Sequence, residues 1–424
     1  MLPARILEYC GDNQGLKARL ANRSAESVRR RSKIQLALRS TSWKLTEPLK
    51  FVCGRFQWPR QLTQKGGAGR LVLKVLASPY LETSEQNPGL LLLYRSMENL
   101  GVQVTNFTVR QLLFESWDIW HLHWPEFWPE ILLCAPKTSN ILLRLFKFWV
   151  KLKLARIKNT KIFWTVHNLR PHERDRPLLE RLFWWIFLPS VDGVICMSHS
   201  SRQLLYDQHP RVKNHPIFII PRGHYRGAYP DSMSREEARS TMRVKSDEFV
   251  ATFLGQIRPY KGIPQLIRCF NASGLTSSRL IIAGRPISSS IGQELKELAS
   301  GNPTIELFLD FVDNADVQKF LRAADLVVLP YTDILNSGSA ILALSFDRPV
   351  LLPARGIMAD LREAVGPDWV RLYEGELTPD IIRDTAQWAV KRRNCGPRTA
   401  PLGAWNWDIA AKLTVEAFSS QRQR

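Results

Sequence analysis

The chain reads as an α/β protein of two tandem Rossmann-like domains, each a parallel sheet with helices on both faces, behind a basic N-terminal extension. Three observations predict it. From residue 70 onward, short apolar runs of strand length alternate with segments whose apolar residues recur at helical spacing, the pattern of βαβ units. Several strand runs are apolar almost without interruption, FVATFL at 249–254 and DLVVLP at 325–330 among them, as in strands buried on both faces. The series then occurs a second time after a break near 220–231. Two such domains in tandem leave a cleft between their strand ends, where small ligands bind.

At 424 residues the chain has room for roughly two to three domains with cores of their own, and an apolar content of 45% is that of a globular protein. The formal charge of +20 fixes the sign of a partner before its identity. Residues 1–70 hold fifteen Lys or Arg against four Asp or Glu, so over half of the excess belongs to the extension. No run reaches the ~18 uninterrupted apolar residues of a membrane span, and the first residues lack the apolar core of a secretory signal, so the body is expected in the cytoplasm. Cys10, Cys53, Cys134, Cys196, Cys269 and Cys395 are scattered without metal-like spacing. Reduced, mostly buried thiols are expected, with no disulfide and no structural zinc.

Residues 1–68 are basic and Ser-rich and close in a Gly-rich linker. Within them Trp43, Leu45, Leu49, Phe51 and Phe56 interleave with Lys44, Lys50 and Arg55, a composition that suits either an anionic membrane surface or a tail without a specific ligand. In the first domain, strands are expected at 71–77, 102–105, 119–124, 161–166, at VDGVICMS and at PIFII, with helices at 88–99, 139–158, 174–188 and 200–206. In the second, a helix at 234–242 precedes strands at 249–254, 279–283, 304–309, 325–330 and 349–352, with helices between. The expected boundaries are 1–68 for the extension, 69–222 and 223–404 for the two domains, and 405–424 for a terminal helix packing across both.

Two loops of the second domain carry anion chemistry. After 249–254 comes GQIRPYKG, with Gly255, Arg258 and Lys261 at the carboxyl end of a strand and beside a helix start, a position that favours phosphate. After 325–330 comes YTDILNSGS, in which Asn336 or Ser337 caps a helix, Gly338 lets backbone approach a ligand, and free first-turn amides at Gly338 and Ser339 are suited to a diphosphate.

With these motifs in view, 72–418 resembles the two-domain glycosyltransferases of the GT-B fold, close to the group-1 nucleotide-sugar transferases of bacterial polysaccharide assembly. The second domain carries most of it: FLGQIRPYKG at 253–262, LIIAGRP at 280–286, FVDNADVQKFLRAADLVVLPYTD at 311–333 and SGSAILALSFDRPVL at 337–351. HLHWPE at 121–126, TVHNLRPHE at 165–173 and IPRGHY at 220–225 are similar to first-domain and linker segments of exopolysaccharide transferases. The resemblance implies an acceptor domain at 69–222, a nucleotide-sugar domain at 223–404, and transfer from a nucleotide diphosphate sugar, with GDP-mannose the expected donor, to a lipid-linked saccharide in exopolysaccharide or capsule synthesis. It implies no cofactor and no metal, and no Asp-x-Asp triplet occurs in the chain. Lys261 matches the family position for position. Gln256 stands where the family usually has an Arg, so Arg258 is expected to replace it. Ile334 and Leu342 stand about where the family's paired Glu residues fall, so donor sugar and ribose are left to Tyr331, Asp333 or Asn336.

Inverting transfer needs a base for the attacking hydroxyl, on the acceptor domain at a strand's carboxyl end. Glu126 is the first choice because Pro125 ends the strand and turns it outward, with His167 next and His123 beside them; His172 and Glu173 lie in the same second loop. Either imidazole also fits a hydrogen-bonded structural role, and a retaining reaction requires no such base. The helix from Ile141 to Lys158 puts Arg144, Lys147, Lys151 and Lys158 along one stripe amid Leu, Phe and Trp, a surface for an anionic membrane and its lipid-linked acceptors or simply a solvated face. The expected setting is peripheral, on the inner face of the plasma membrane. Two other functions stay open on sequence: a catalytically silent transferase fold serving as a membrane partner, which the absent Glu pair allows, and a basic nucleic-acid-binding protein. No nucleic acid is expected, since the charge sits in the extension and no nucleic-acid motif appears.

Overall fold

The computed structural model describes residues 72–79, 88–125, 138–169, 177–396 and 398–422. The expectations for 1–68, Glu126, His172 and Glu173 lie outside them.

The first sheet is built from β1 (Lys74–Ser78), β2 (Gln103–Asn106), β3 (Ile119–His123), β4 (Lys161–Thr165), β5 (Gly193–Cys196) and β6 (Ile217–Ile219), in the order β2-β1-β3-β4-β5-β6. The second is built from β7 (Phe249–Leu254), β8 (Ser278–Ala283), β9 (Ile305–Phe308), β10 (Leu326–Val328), β11 (Val350–Pro353) and β12 (Val370–Tyr373), in the order β12-β11-β10-β7-β8-β9. All the pairings are parallel, as the apolar runs require. Each order reverses direction once, between β1 and β3 in the first sheet and between β7 and β10 in the second. The crevice outside the strands' carboxyl ends at such a reversal is where open α/β sheets hold ligands.

The helices are α1 (Gly89–Asn99), α2 (Val109–Phe114), α3 (Thr138–Ile157), α4 (Pro177–Phe187), α5 (His199–Gln208), α6 (Arg235–Thr241), α7 (Ile263–Ala272), α8 (Ser289–Ala299), α9 (Val317–Ala323), α10 (Gly338–Ser345), α11 (Met358–Val365), α12 (Pro379–Asn394) and α13 (Trp407–Arg422). In β3 the period of two splits the strand: Trp120 and Leu122 join the aromatic core under α3 and α4, while Ile119 belongs to the core under α1 and α13. His121 and His123 share the face of Ile119 and are buried, His121 edge-on to Phe418 of α13 at 5.1 Å. Thus the last helix of the chain returns to cover the first sheet, packing on α1, β4 and β5. Its start is pinned to the segment between the sheets, where Trp407 Nε1 donates to the His224 carbonyl at 2.6 Å and the His224 amide donates to the Trp405 carbonyl at 2.6 Å.

The structure departs from the sequence expectations in two places. Strand β12 and helices α2, α11 and α12 were not expected; β12 is an edge strand with Arg371 exposed in its middle, which hides the apolar run. The cationic stripe of α3 is not a single surface: Lys151 is buried with its ammonium over the Phe107 ring, and Lys158 Nζ donates to the carbonyls of Leu112, Leu113 and Glu115. What α3 turns outward is apolar, Leu142, Leu143, Phe146, Trp149 and Val150, with Lys147 and Lys153 among them. Of the thiols described, Cys196 and Cys269 are buried, whereas Cys395 is exposed.

Candidate active site

In the second sheet the two loops named from sequence flank the β7/β10 reversal. Gly262 adopts a left-handed φ of +68°, and a Cβ there would stand 2.1 Å from the Pro330 carbonyl oxygen, so only glycine lets the start of α7 approach the end of β10. That approach brings Lys261 Nζ to the Tyr331 hydroxyl at 3.2 Å and over its ring at 4.5 Å. The two loops meet again where a Cβ at Gly255 would lie 3.3 Å from Ser339 Oγ. Ser337 caps α10, its Oγ accepting from the Ala340 amide at 3.0 Å, and the amides of Gly338 and Ser339 belong to the first turn, where helices leave donors for a ligand. Arg258 is half-buried and its Nε donates to Gln256 Oε1 at 2.9 Å, so the residue standing in the family's Arg position orients the cation expected to replace it. Asp333 is exposed on the loop between β10 and α10.

In the first sheet β3 and β4 end in imidazoles. His123 Nδ1 is 2.8 Å from His167 Nε2, and Trp124, held at a left-handed φ of 47°, stacks on the His167 ring at 4.0 Å and 22°. A tryptophan in that region is strained and marks a position fixed by its surroundings. Burial pushes His121 down to about 3. His123 lies well below the ordinary value through burial first and then through His121, His167 and Arg222; His167 does so through burial, Arg222 and His121. All three rings are neutral at pH 7, and a neutral imidazole is a proton acceptor.

The two halves are joined by Asn336, which the sequence had placed in the donor loop, and by Arg222, Ser200 and Asp360, which it had not singled out. Arg222, on the segment between the sheets, lines one narrow cavity with His123, Trp124, Thr165 and His167. A Cβ at Gly338 would stand 3.3 Å from its Nη1, which places the guanidinium at the start of α10, and its Nη2 donates to the Tyr225 hydroxyl. Asn336 Nδ2 donates to the His167 carbonyl at 3.0 Å, and Ser200 Oγ donates to Asp360 at 2.6 Å, so hydrogen bonds cross the cleft at two points. The signal for Arg222 was in IPRGHY, noted only as a resemblance. A lone arginine between two domains has no periodicity to mark it.

Comparison with known proteins supplies the family. Residues 248–369 match the family model described as glycosyl transferases group 1. The GDP-mannose:glycolipid 4-beta-D-mannosyltransferase of Xanthomonas campestris pv. campestris is 32% identical over 322 residues, 76% of this chain and 84% of that protein. Among solved structures, sucrose-phosphate synthase from Thermosynechococcus elongatus superposes with a TM-score of 0.56 at 15% identity, covering 82% of this chain and 98% of that one. Anabaena HepE in complex with UDP and glucose gives 0.54 at 15% identity, covering 83% and 97%. The structures bear out the two-lobed GT-B architecture, and the Xanthomonas relative spans most of both chains. This chain belongs to the group 1 glycosyltransferases.

Proposed function

We propose that this glycosyltransferase moves a sugar from a nucleotide diphosphate sugar, GDP-mannose, to a hydroxyl of a lipid-linked saccharide during polysaccharide assembly. Support comes from the Xanthomonas relative, whose name gives GDP-mannose as donor and a glycolipid as acceptor. The observation that carries the chemistry is the meeting of a neutral imidazole and a guanidinium in one cavity: His167 from the first lobe, and Arg222 at the amino end of α10 from the other side.

Cleaving the bond from sugar to diphosphate builds negative charge on the leaving group. In this reading Lys261, Arg258 and Arg222, together with the amides of Gly338 and Ser339 and the close backbone at Gly255, hold that charge, with Ser337 fixing the helix start. Tyr331, Asp333 and Asn336 are assigned to the ribose and sugar; Tyr331 also holds Lys261. A β-linked product from an α-linked donor forms with inversion, which calls for a base opposite the leaving group. Among the described residues His167 is the base we assign, with His123 behind it; Glu126, the first choice from sequence, falls outside them.

The acceptor's lipid implies a membrane nearby. No helix of the described residues is long and apolar enough to cross one. The outward apolar face of α3 continues to the exposed Leu178 and Trp185 of α4, and we assign this face, with Lys147 and Lys153, to an anionic bilayer at the inner face of the plasma membrane. The basic extension suits the same surface.

The test is a panel of nucleotide sugars with a short-chain lipid-linked saccharide, run with Lys261→Ala alongside. GDP-mannose is expected to be consumed and the product to carry a β-linked sugar. Turnover of UDP-sugars alone would overturn the donor; absence of turnover and of binding for every donor would favour the catalytically silent reading.

A further inference from the structure

Arg222 stands where its own charge does not favour it. Its guanidinium lies at the amino end of α10, with Nη1 3.3 Å from the point a Cβ would take on Gly338, and the first turn of a helix carries the positive end of the helix dipole. Lys261 and Arg258 add positive charge to the same end of the second sheet. The residue also belongs to the irregular segment between β6 and α6, so no helix or strand fixes its backbone. Other contacts must hold the side chain there until a diphosphate arrives, and Tyr225, three positions on, supplies them.

The Tyr225 hydroxyl accepts a hydrogen bond from Arg222 Nη2, and the guanidinium carbon lies 5.3 Å from the centre of the Tyr225 ring. The hydroxyl is also close to the helix start, since a Cβ on Gly338 would stand 3.5 Å from it. At its other end the residue is tied to the last turn of the same helix: its amide donates to Ser345 Oγ at 2.9 Å, and Ser345 Oγ donates to the Ile341 carbonyl at 2.6 Å. Arg226 continues the attachment, its Nη2 donating to Asp347 Oδ1 at 2.7 Å and to the Ala400 carbonyl at 2.8 Å. Tyr225 is buried, with the Tyr229 ring edge-on at 6.0 Å. It is thus a strut laid along α10, its backbone on the helix's last residue and its hydroxyl at the first. We propose that Tyr225 is a positioning residue of the transfer, holding the Arg222 guanidinium at the start of α10 before the donor binds, so that the diphosphate meets a cation already in place.

The two contacts act on different properties of the guanidinium. The hydrogen bond fixes the plane of the fork, on which a paired contact to phosphate oxygens depends, and the ring face attracts the cation against the repulsion of the helix end. Neither introduces a negative charge that would compete with the diphosphate. A carboxylate in place of the phenol would hold the arginine more tightly and neutralise it. Burial raises the Tyr225 phenol above its ordinary value, against the opposing effect of Arg222, so the group remains a neutral hydroxyl. A cation that needs no reorientation as the bond breaks stabilises the charge developing on the leaving group. Tyr225 acts through Arg222.

The inference rests on Arg222 holding the leaving diphosphate, and a double-mutant cycle in the full chain separates the two. Tyr225→Phe keeps the ring and removes the hydroxyl. It is expected to lower kcat about 10-fold, to raise the donor KM no more than about threefold, and to weaken GDP binding about three- to fivefold by calorimetry. In an Arg222→Ala background the same substitution is expected to change kcat and GDP affinity by less than about twofold, because the group it positions is gone. Effects of full size in that background would overturn the inference. So would wild-type kcat and GDP affinity in Tyr225→Phe, whatever its melting temperature. Ser345→Ala, which leaves the phenol and removes the anchor of its backbone, is the second variant should Tyr225→Phe fold poorly. It is expected to lower kcat about threefold, and to leave it unchanged where Arg222 is already alanine; equal losses in both backgrounds would count as a structural role only. If Arg222→Ala itself turns over and binds GDP as the wild type does, the assignment of Arg222 to the diphosphate falls and the positioning role with it. An impaired Arg222→Ala beside an unimpaired Tyr225→Phe sinks the positioning role alone.

Discussion

The two lobes place their functional loops at the same topological position, outside the carboxyl ends of strands where the sheet order reverses, yet they furnish it with opposite chemistry. At the β1/β3 end of the first sheet the groups are imidazoles and hydroxyls, buried and neutral, packed under Phe418 and Trp124. At the β7/β10 end of the second they are Lys261, Arg258 and the amides of α10, part-exposed and positive. The same scaffold is thus made dry on one side and cationic on the other. In the proposed reaction the neutral side takes the proton of the attacking hydroxyl and the cationic side holds the diphosphate.

The largest test of this contrast removes the positive side. Lys261→Ala and Arg222→Ala are each expected to lower kcat/KM about 10²- to 10³-fold, the scale for losing one preorganised partner of a developing anion, measured by steady-state turnover. Arg222→Ala carries a second readout. Because burial first and the guanidinium second hold His167 down, the acid limb of the rate profile lies well below pH 6.5 in the wild-type protein and moves partway upward in the variant; a limb that stays in place would separate Arg222 from His167.

Next in size is the joint between the positive loops. Gly262→Ala sets a Cβ against the Pro330 carbonyl at an unfavourable φ, and a loss of about 2–3 kcal/mol is expected in denaturant unfolding, together with a raised donor KM as Lys261 shifts from Tyr331.

The neutral side is probed by acid. His121 is held neutral in the folded protein, near 3, against about 6.5 when unfolded. The unfolded chain therefore binds the additional proton between those values. Stability is fully present above pH 6.5 and falls as pH drops toward 3, by about 1.4 kcal/mol per pH unit for this ring alone. Thermal melts from pH 7.5 to 4.5 should show the decline, and His121→Asn should flatten it. A melting temperature independent of pH over that range would contradict a buried neutral cluster.

The smallest effect belongs to the surface. Phe146→Glu with Trp149→Glu is expected to reduce flotation with anionic liposomes about tenfold and to move the melting temperature little, since both side chains are exposed.

The strands of both sheets and the loops of the second lobe were legible in the residues because their signals are local. FVATFL is apolar but for Thr252 since both faces of β7 are covered, and GQIRPYKG and NSGS announce a turn and a helix start within a few positions. Strand β12 was not legible, since an edge strand with an exposed Arg371 has no such run. Nor was the surface of α3, where helical spacing grouped four cations that packing divides between an aromatic ring, a set of carbonyls and solvent.

By itself, then, the chain's order of residues determined two parallel α/β sheets and, in the second, the loops suited to phosphate, because each of these is written over fewer than about a dozen neighbouring positions; the order of the strands and its reversal came from the fold. Folding alone decided that Tyr94, His121, His123, Thr165 and His167 stand in one hydrogen-bonded series, that Arg222 reaches Gly338, and that Asn336 spans to the His167 carbonyl. Those contacts join residues from separate strands, helices and loops, some of them well over a hundred positions apart, and they depend on distances of a few ångströms that no spacing along the chain encodes.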